Sequence, residues 1–188
     1  MAGAVSPGGD TLILTLGLDR DSAAQLGALR RAAWPTARPG VPAHLTLLRQ
    51  LPGPSAQAIR SELRMEARAR LPFTCRFLAP RAHGDAVFLP ARGDALLDLH
   101  AALVHRFAPL LRPQDRVPPD LHVTLAAGLA PAEARRLAAG LGRADVPASA
   151  RAEALQLWRI APARAAHPPW PSPWSLPWSL LVSLRLGR

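Results

Sequence analysis

The chain has no lysine, no tyrosine and a single cysteine in 188 residues. All 23 of its basic residues are therefore arginine. The net charge of +10 and the pI near 11.7 come from a bias toward Ala, Arg, Pro, Leu and Gly that runs through the whole protein. Such a charge suits a polyanionic substrate without proving one. The lone Cys75 cannot form an internal disulfide, which fits a reducing compartment. Its place in Phe73-Thr74-Cys75-Arg76-Phe77 reads as a packed strand thiol rather than a nucleophile. No Cys-x-x-Cys and no His-x-x-x-His pair supports a metal site. No apolar run approaches the ~20 residues a membrane helix needs. The N-terminus lacks a basic segment ahead of Thr11–Leu18, which speaks against a signal peptide. The expectation is a cytoplasmic protein, off the membrane.

What is present is a repeat. His44-Leu45-Thr46-Leu47 is answered 78 residues later by His122-Val123-Thr124-Leu125, and Leu51 and Leu129 stand at matching places further on. Prolines follow at Pro52 and Pro54 and at Pro131. Read as strands, the two segments put histidine and threonine on one face and the apolar residues on the other. Random placement of the chain's histidines and threonines gives roughly 0.2 His-x-Thr triplets, so two in matching contexts carry information.

The other elements follow from patterning. Thr11–Leu18 reads as a first strand, with Asp19 to Asp21 capping a helix over Ser22–Ala33. Ser55–Arg70 carries Ile59, Leu63 and Ala67 on one stripe and Arg60, Arg64 and Arg68 on another, an amphipathic helix with a solvated arginine face. Phe73–Leu78 and Ala86–Leu89 read as strands joined by a turn over Arg81–Asp85. Asp94 caps a helix to Leu111, with His100 on its apolar stripe as a core histidine and His105 off it. A helix starts at Pro131 and runs to about Leu141, and Arg151–Ile160 and Ser179–Leu186 close the chain as strands. His83 and His167 fall in loops, as surface residues. Residues 161 to 178 form a proline-rich loop with Trp170, Trp174 and Trp178.

The paired His-x-Thr-x elements resemble the 2H phosphoesterase superfamily, and within it the bacterial 2'-5' RNA ligase / RNA 2',3'-cyclic phosphodiesterase family, over nearly the whole chain. The resemblance implies an α+β, bilobal, pseudo-two-fold fold in which two antiparallel sheets line a central cleft with helices outside. Residues 1–10 would be a flexible N-terminus and 11–188 one domain of two lobes, with motif strands near 43–48 and 121–126. It also implies a hydrolase that opens RNA 2',3'-cyclic phosphate ends to 2'-phosphates, with 2'-5' ligation as the reverse chemistry. No cofactor or metal is called for, and a monomer is expected. His44 and His122 would serve as acid and base, and Thr46 and Thr124 would bind phosphate oxygens. Many relatives place an arginine just after the second motif, where this chain has Ala126-Ala127. Arg49, at the position equivalent to Ala127, or Arg81 or Arg116, could replace it. Trp34 and Trp178 are candidates to stack on a base. Two alternatives stand beside this reading: the same chemistry on a small cyclic nucleotide of the ADP-ribose cyclic phosphate type, and a non-catalytic RNA-binding module.

Overall fold

A computed structural model describes residues 10–34, 40–116, 120–141, 146–160 and 178–188. The chain order is β1 (Thr11–Leu18), α1 (Arg20–Ala33), β2 (His44–Pro52), α2 (Ala56–Ala69), β3 (Phe73–Phe77), β4 (Arg81–His83), β5 (Ala86–Arg92), α3 (Asp94–Phe107), β6 (His122–Ala126), α4 (Pro131–Gly140), β7 (Ser149–Ile160) and β8 (Trp178–Arg185). All strand pairs are antiparallel. The protein is thus α+β, as the residue patterns and the resemblance imply.

The eight strands form two antiparallel groups joined at a narrow place. In the first, β1 lies between β2 and β7, and β7 carries β8 and β3 along its other edge. In the second, β5 lies between β4 and β6. The groups meet through β3 and β5, where only Arg76–Arg92 and Phe77–Ala91 pair. The motif strands β2 and β6 belong to different groups and come into backbone proximity across the space between them.

Local chemistry explains the elements. The Asp19 carboxylate accepts from the backbone N–H of Ser22 at 2.9 Å and of Arg151 at 2.7 Å, so one side chain starts α1 and ties it to β7. Burial opposes its ionisation, yet these bonds outweigh burial and lower its pKa. Leu26 of α1, Ile59 and Leu63 of α2, and Leu96, Leu99 and Leu103 of α3 are all fully buried against the sheet. The buried Glu66 of α2 bonds Arg70 at 2.5 Å and Arg106 of α3 at 3.3 Å, which pairs its charge. Of the arginine row on α2, Arg64 and Arg68 are exposed and line a small groove with Arg185 and Arg188.

Three expectations are corrected. Arg81–His83 is a strand, not part of a turn, because Gly84-Asp85 alone makes the two-residue connection to β5, with Gly84 at φ 59°. Asp94 opens α3, but Gly93 holds the N-cap position and no side chain caps it. The α-helix ends at Phe107, and Ala108–Leu110 continue it as a 3₁₀ turn. The expectations for residues 1–9 and for His167, Trp170 and Trp174 lie outside the described residues. Among the described residues no helix is long and apolar enough to cross a membrane.

Candidate active site

The two motif segments share their backbone as well as their letters. In β2 and in β6 the first five residues alternate in the same way: His and Thr half-buried, Leu45 and Val123 buried, then two consecutive buried residues. That double burial marks a β-bulge in each strand. Leu14 pairs Leu48 while Thr15 pairs Thr46, leaving Leu47 as the extra residue. Val87 pairs Ala126 while Phe88 pairs Thr124, leaving Leu125 as the extra one. Six residues after each histidine the backbone turns left-handed, at Gln50 (φ 53°) and at Gly128 (φ 76°).

Each histidine is held by the same local bond. Nδ1 of His44 lies 2.8 Å from the carbonyl of Pro42, and Nδ1 of His122 lies 2.5 Å from the carbonyl of Asp120. A carbonyl only accepts, so Nδ1 carries a proton in both rings.

The halves also brace each other. His100 of α3 hydrogen-bonds the backbone of Leu47, the bulge residue of β2. His100 is buried, as its place on the apolar stripe implies, and burial lowers its pKa against the opposing effect of that bond. In the other direction, α1 packs against β6.

A cavity of about 620 Å³ lies between the groups. Thr46, Arg49, Arg81, His83, Phe88 and His122 line it, together with Asp115 and Asp120. His44 and Thr124 occupy the same strand faces as Thr46 and His122 but are not part of this lining. The His44 ring packs 5.5 Å from that of Trp178, which in turn meets Trp158 at 6.0 Å. Trp178 therefore stands beside the first motif. Trp34 does not: it is 7% exposed, within the hydrophobic core, with the Arg30 guanidinium 5.8 Å over its ring. Its indole has no open face to offer a base. Arg116 is likewise engaged, donating to the carbonyls of Ala108 at 2.8 Å and Leu111 at 3.2 Å.

His122 has the more apolar setting. Its ring stacks on Phe88 at 3.8 Å, and Phe88 stacks on His83 at 6.0 Å. Burial lowers the His122 pKa; the bond to Asp120 and that carboxylate's charge oppose it, while the charges of Arg49 and His83 reinforce it. The net effect favours the neutral imidazole. Arg49 is exposed beyond the bulge of β2, yet its charge reaches His122 on β6.

Sequence reasoning missed His83 and Phe88 as site residues. The alternation Arg81-Ala82-His83 before Gly84-Asp85 is the signal for a hairpin strand whose outer residues share a face, and His83 lies on that face.

A cleft between two antiparallel strand groups, each contributing a His-x-Thr strand, defines a 2H phosphoesterase. More narrowly, the family model of the 2'-5' RNA ligase superfamily matches residues 18–164, and the chain belongs to that superfamily. No curated protein sequence matches it. Among solved structures, TT0787 of Thermus thermophilus superposes with a TM-score of 0.63 at 20% identity, covering 94% of this chain and 98% of that one. LigT of E. coli in its apo form gives a TM-score of 0.59 at 19% identity, with 95% and 98% covered. LigT complexed with 3'-AMP gives 0.58 at 20% identity, with 96% and 99% covered. At these identities the likeness is one of fold.

Proposed function

We propose that the protein hydrolyses the 2',3'-cyclic phosphate at RNA ends to a 2'-phosphate, and that 2'-5' ligation is the same reaction in reverse. The observation that carries this reading is the repetition, on two facing strands, of a histidine with its Nδ1 proton committed to a local carbonyl and a threonine two residues on.

His122, neutral because burial lowers its pKa, is the base. Its Nε2 takes a proton from water as the water oxygen attacks phosphorus. The bond from phosphorus to the ribose O3' breaks on the opposite side, and His44, entering the step as the imidazolium, gives that oxygen its Nε2 proton and keeps the one on Nδ1. Thr46 and Thr124 donate to the non-bridging oxygens as charge gathers there. Arg49 stands on the cavity wall near His122, where it can bind the same phosphate and replace the arginine that many relatives carry after the second motif. Trp178, beside His44, offers a face for the terminal base.

The test is substitution of each histidine. His44→Ala and His122→Ala are each expected to lower kcat by on the order of 10²–10⁴ on a cyclic-ended RNA while retaining much of the affinity. Turnover unchanged by either variant would remove the proposal, and a wild type that binds RNA without turnover would be an RNA-binding module.

A second reading keeps the chemistry and puts a small cyclic nucleotide in the cleft. It is favoured by three structures of E. coli LigT, which are complexes with 3'-AMP, NADP+ and ATP. A polymer substrate loses affinity with salt at about −0.7 per phosphate contacted on a log–log plot, and a small nucleotide gives a much shallower slope.

A further inference from the structure

The reaction above uses two histidines, two threonines and Arg49 around one phosphate. Arg81 and His83 remain on the wall of the same cavity without a part in it. Both are exposed, and among the described residues Arg81 has no carboxylate partner. Of the two acids on that wall, Asp120 is bound by Arg92 at 2.8 Å, and Asp115 makes no ion pair with Arg81.

Sheet register fixes where these side chains point. Arg81 pairs Phe88, and Phe88 pairs Thr124, so the three form one row across β4, β5 and β6 on one face. His83, two residues from Arg81, and His122, two from Thr124, share that face. The stack His83–Phe88–His122 is the outcome. Adjacent strands lie ~4.8 Å apart, so β4 stands about 10 Å from β6, with Phe88 on the strand between. Arg81 is thus rooted two strand spacings from Thr124 and from the phosphate that Thr124 would hold. The cavity, at about 620 Å³, has room for more than one phosphoryl group.

We infer that Arg81 and His83 form a second anion subsite, which takes a phosphate one position removed from the reacting one. It rests on the function proposed above and narrows it: the preferred substrate carries, besides its cyclic phosphate, a further phosphate on the 5' side of the same nucleoside. In RNA that group is the preceding phosphodiester; in a small nucleotide it is a 5'-phosphate or pyrophosphate. Arg81 supplies a forked, permanently charged donor set for it, and His83 an imidazole N–H held in place by Phe88.

The experiment compares three substrates on the full chain: adenosine 2',3'-cyclic phosphate, its 5'-phosphorylated form, and a dinucleotide ending in the cyclic phosphate. Wild type is expected to favour the second and third over the first in kcat/KM. Arg81→Ala is expected to collapse that preference by about 10–100-fold, the range for a charge-assisted pair of hydrogen bonds. A dinucleotide preferred over the 5'-phosphorylated form points to RNA, and the reverse preference to a small nucleotide. A preference that persists in Arg81→Ala, or is absent in wild type, overturns the subsite. Calorimetry separates this failure from failure of the proposed reaction. Adenosine 2',5'-bisphosphate should bind wild type more tightly than adenosine 2'-monophosphate, and Arg81→Ala should erase the gap, whether or not any substrate turns over. Equal affinities in wild type would also count against the subsite.

Discussion

The two half-sites are alike for seven residues of backbone and unlike in what surrounds them. β2 and β6 share the His-x-Thr face, the bulge on the fourth residue and the left-handed residue at the seventh. Their neighbours diverge. Opposite His44 stands Gly17, and opposite Thr46 stands Thr15; opposite His122 stands Pro90, and opposite Thr124 stands Phe88. A Cβ on Gly17 would meet the Gln156 carboxamide at 3.1 Å, so the floor near His44 is polar, while the floor near His122 is a ring. The teaching is that symmetry of backbone delivers two similarly held imidazoles, and asymmetry of the surroundings lowers the pKa of one of them, His122. Arg49 adds to this. Its counterpart Ala127 is 4% exposed and belongs to the core, so the second half has no outlet for an arginine at that place.

The largest expected effect comes from forcing the halves to match there. Ala127→Arg puts a charge into the core and should cost about 3 kcal/mol or more, read as a fall in Tm on the order of 10 °C. Arg49→Ala should leave Tm within about 2 °C of wild type and instead lower kcat/KM on a cyclic-phosphate substrate by roughly 10–100-fold. If Ala127→Arg melts at the wild-type temperature, the difference between the halves is not one of burial.

Next comes the ring. Phe88→Leu lets water reach His122 and should raise its pKa toward the ordinary histidine value. A base works only when neutral, so the acid limb of the pH–rate profile should move to higher pH. The same shift has a stability consequence. With its folded pKa lowered, His122 contributes stability that is present above the unfolded histidine pKa and is lost as pH falls through the folded one. Phe88→Leu should shrink that contribution, seen as a flatter dependence of Tm on pH in the acid range. An unmoved acid limb would mean that Phe88 does not set the environment of the base.

The smallest effect tests the shared left-handed turn. No neighbour lies within 4 Å of a Cβ built on Gly128, so Gly128→Ala should cost only its backbone strain, about 1–2 kcal/mol. Gln50 already bears that strain, and Gln50→Gly should be near neutral because relief of φ is offset by a more flexible unfolded chain. Equal responses at the two positions would show that the turns are not equivalent.

The motif pair is legible because strand alternation is written directly in residue type. His44 with Thr46, and His122 with Thr124, need only a period of two. The bulges are not legible, since Leu47-Leu48 and Leu125-Ala126 read equally well as a regular buried run, and only the register with β1 and β5 reveals the extra residue. Nor does the sequence show that Trp34 turns inward, for a tryptophan beside a Pro/Gly segment carries no sign of which way it faces. His83 is easily passed over because its strand is three residues long, so the alternation becomes a signal only beside the Gly84-Asp85 turn. The two joined strand groups follow from resemblance alone, since no pattern in the chain says that β3 and β5 pair at only two positions.

That short β3–β5 joint has a mechanical consequence. The halves are fastened by main-chain hydrogen bonds at one end and by the approach of β2 to β6 at the other, with α1 and α3 each reaching over to the opposite side. The gap is therefore bounded at both ends by contacts within the chain itself. In the proposed reaction, a phosphate entering the gap would meet Thr46, Arg49 and His122 on walls that the fold itself holds apart.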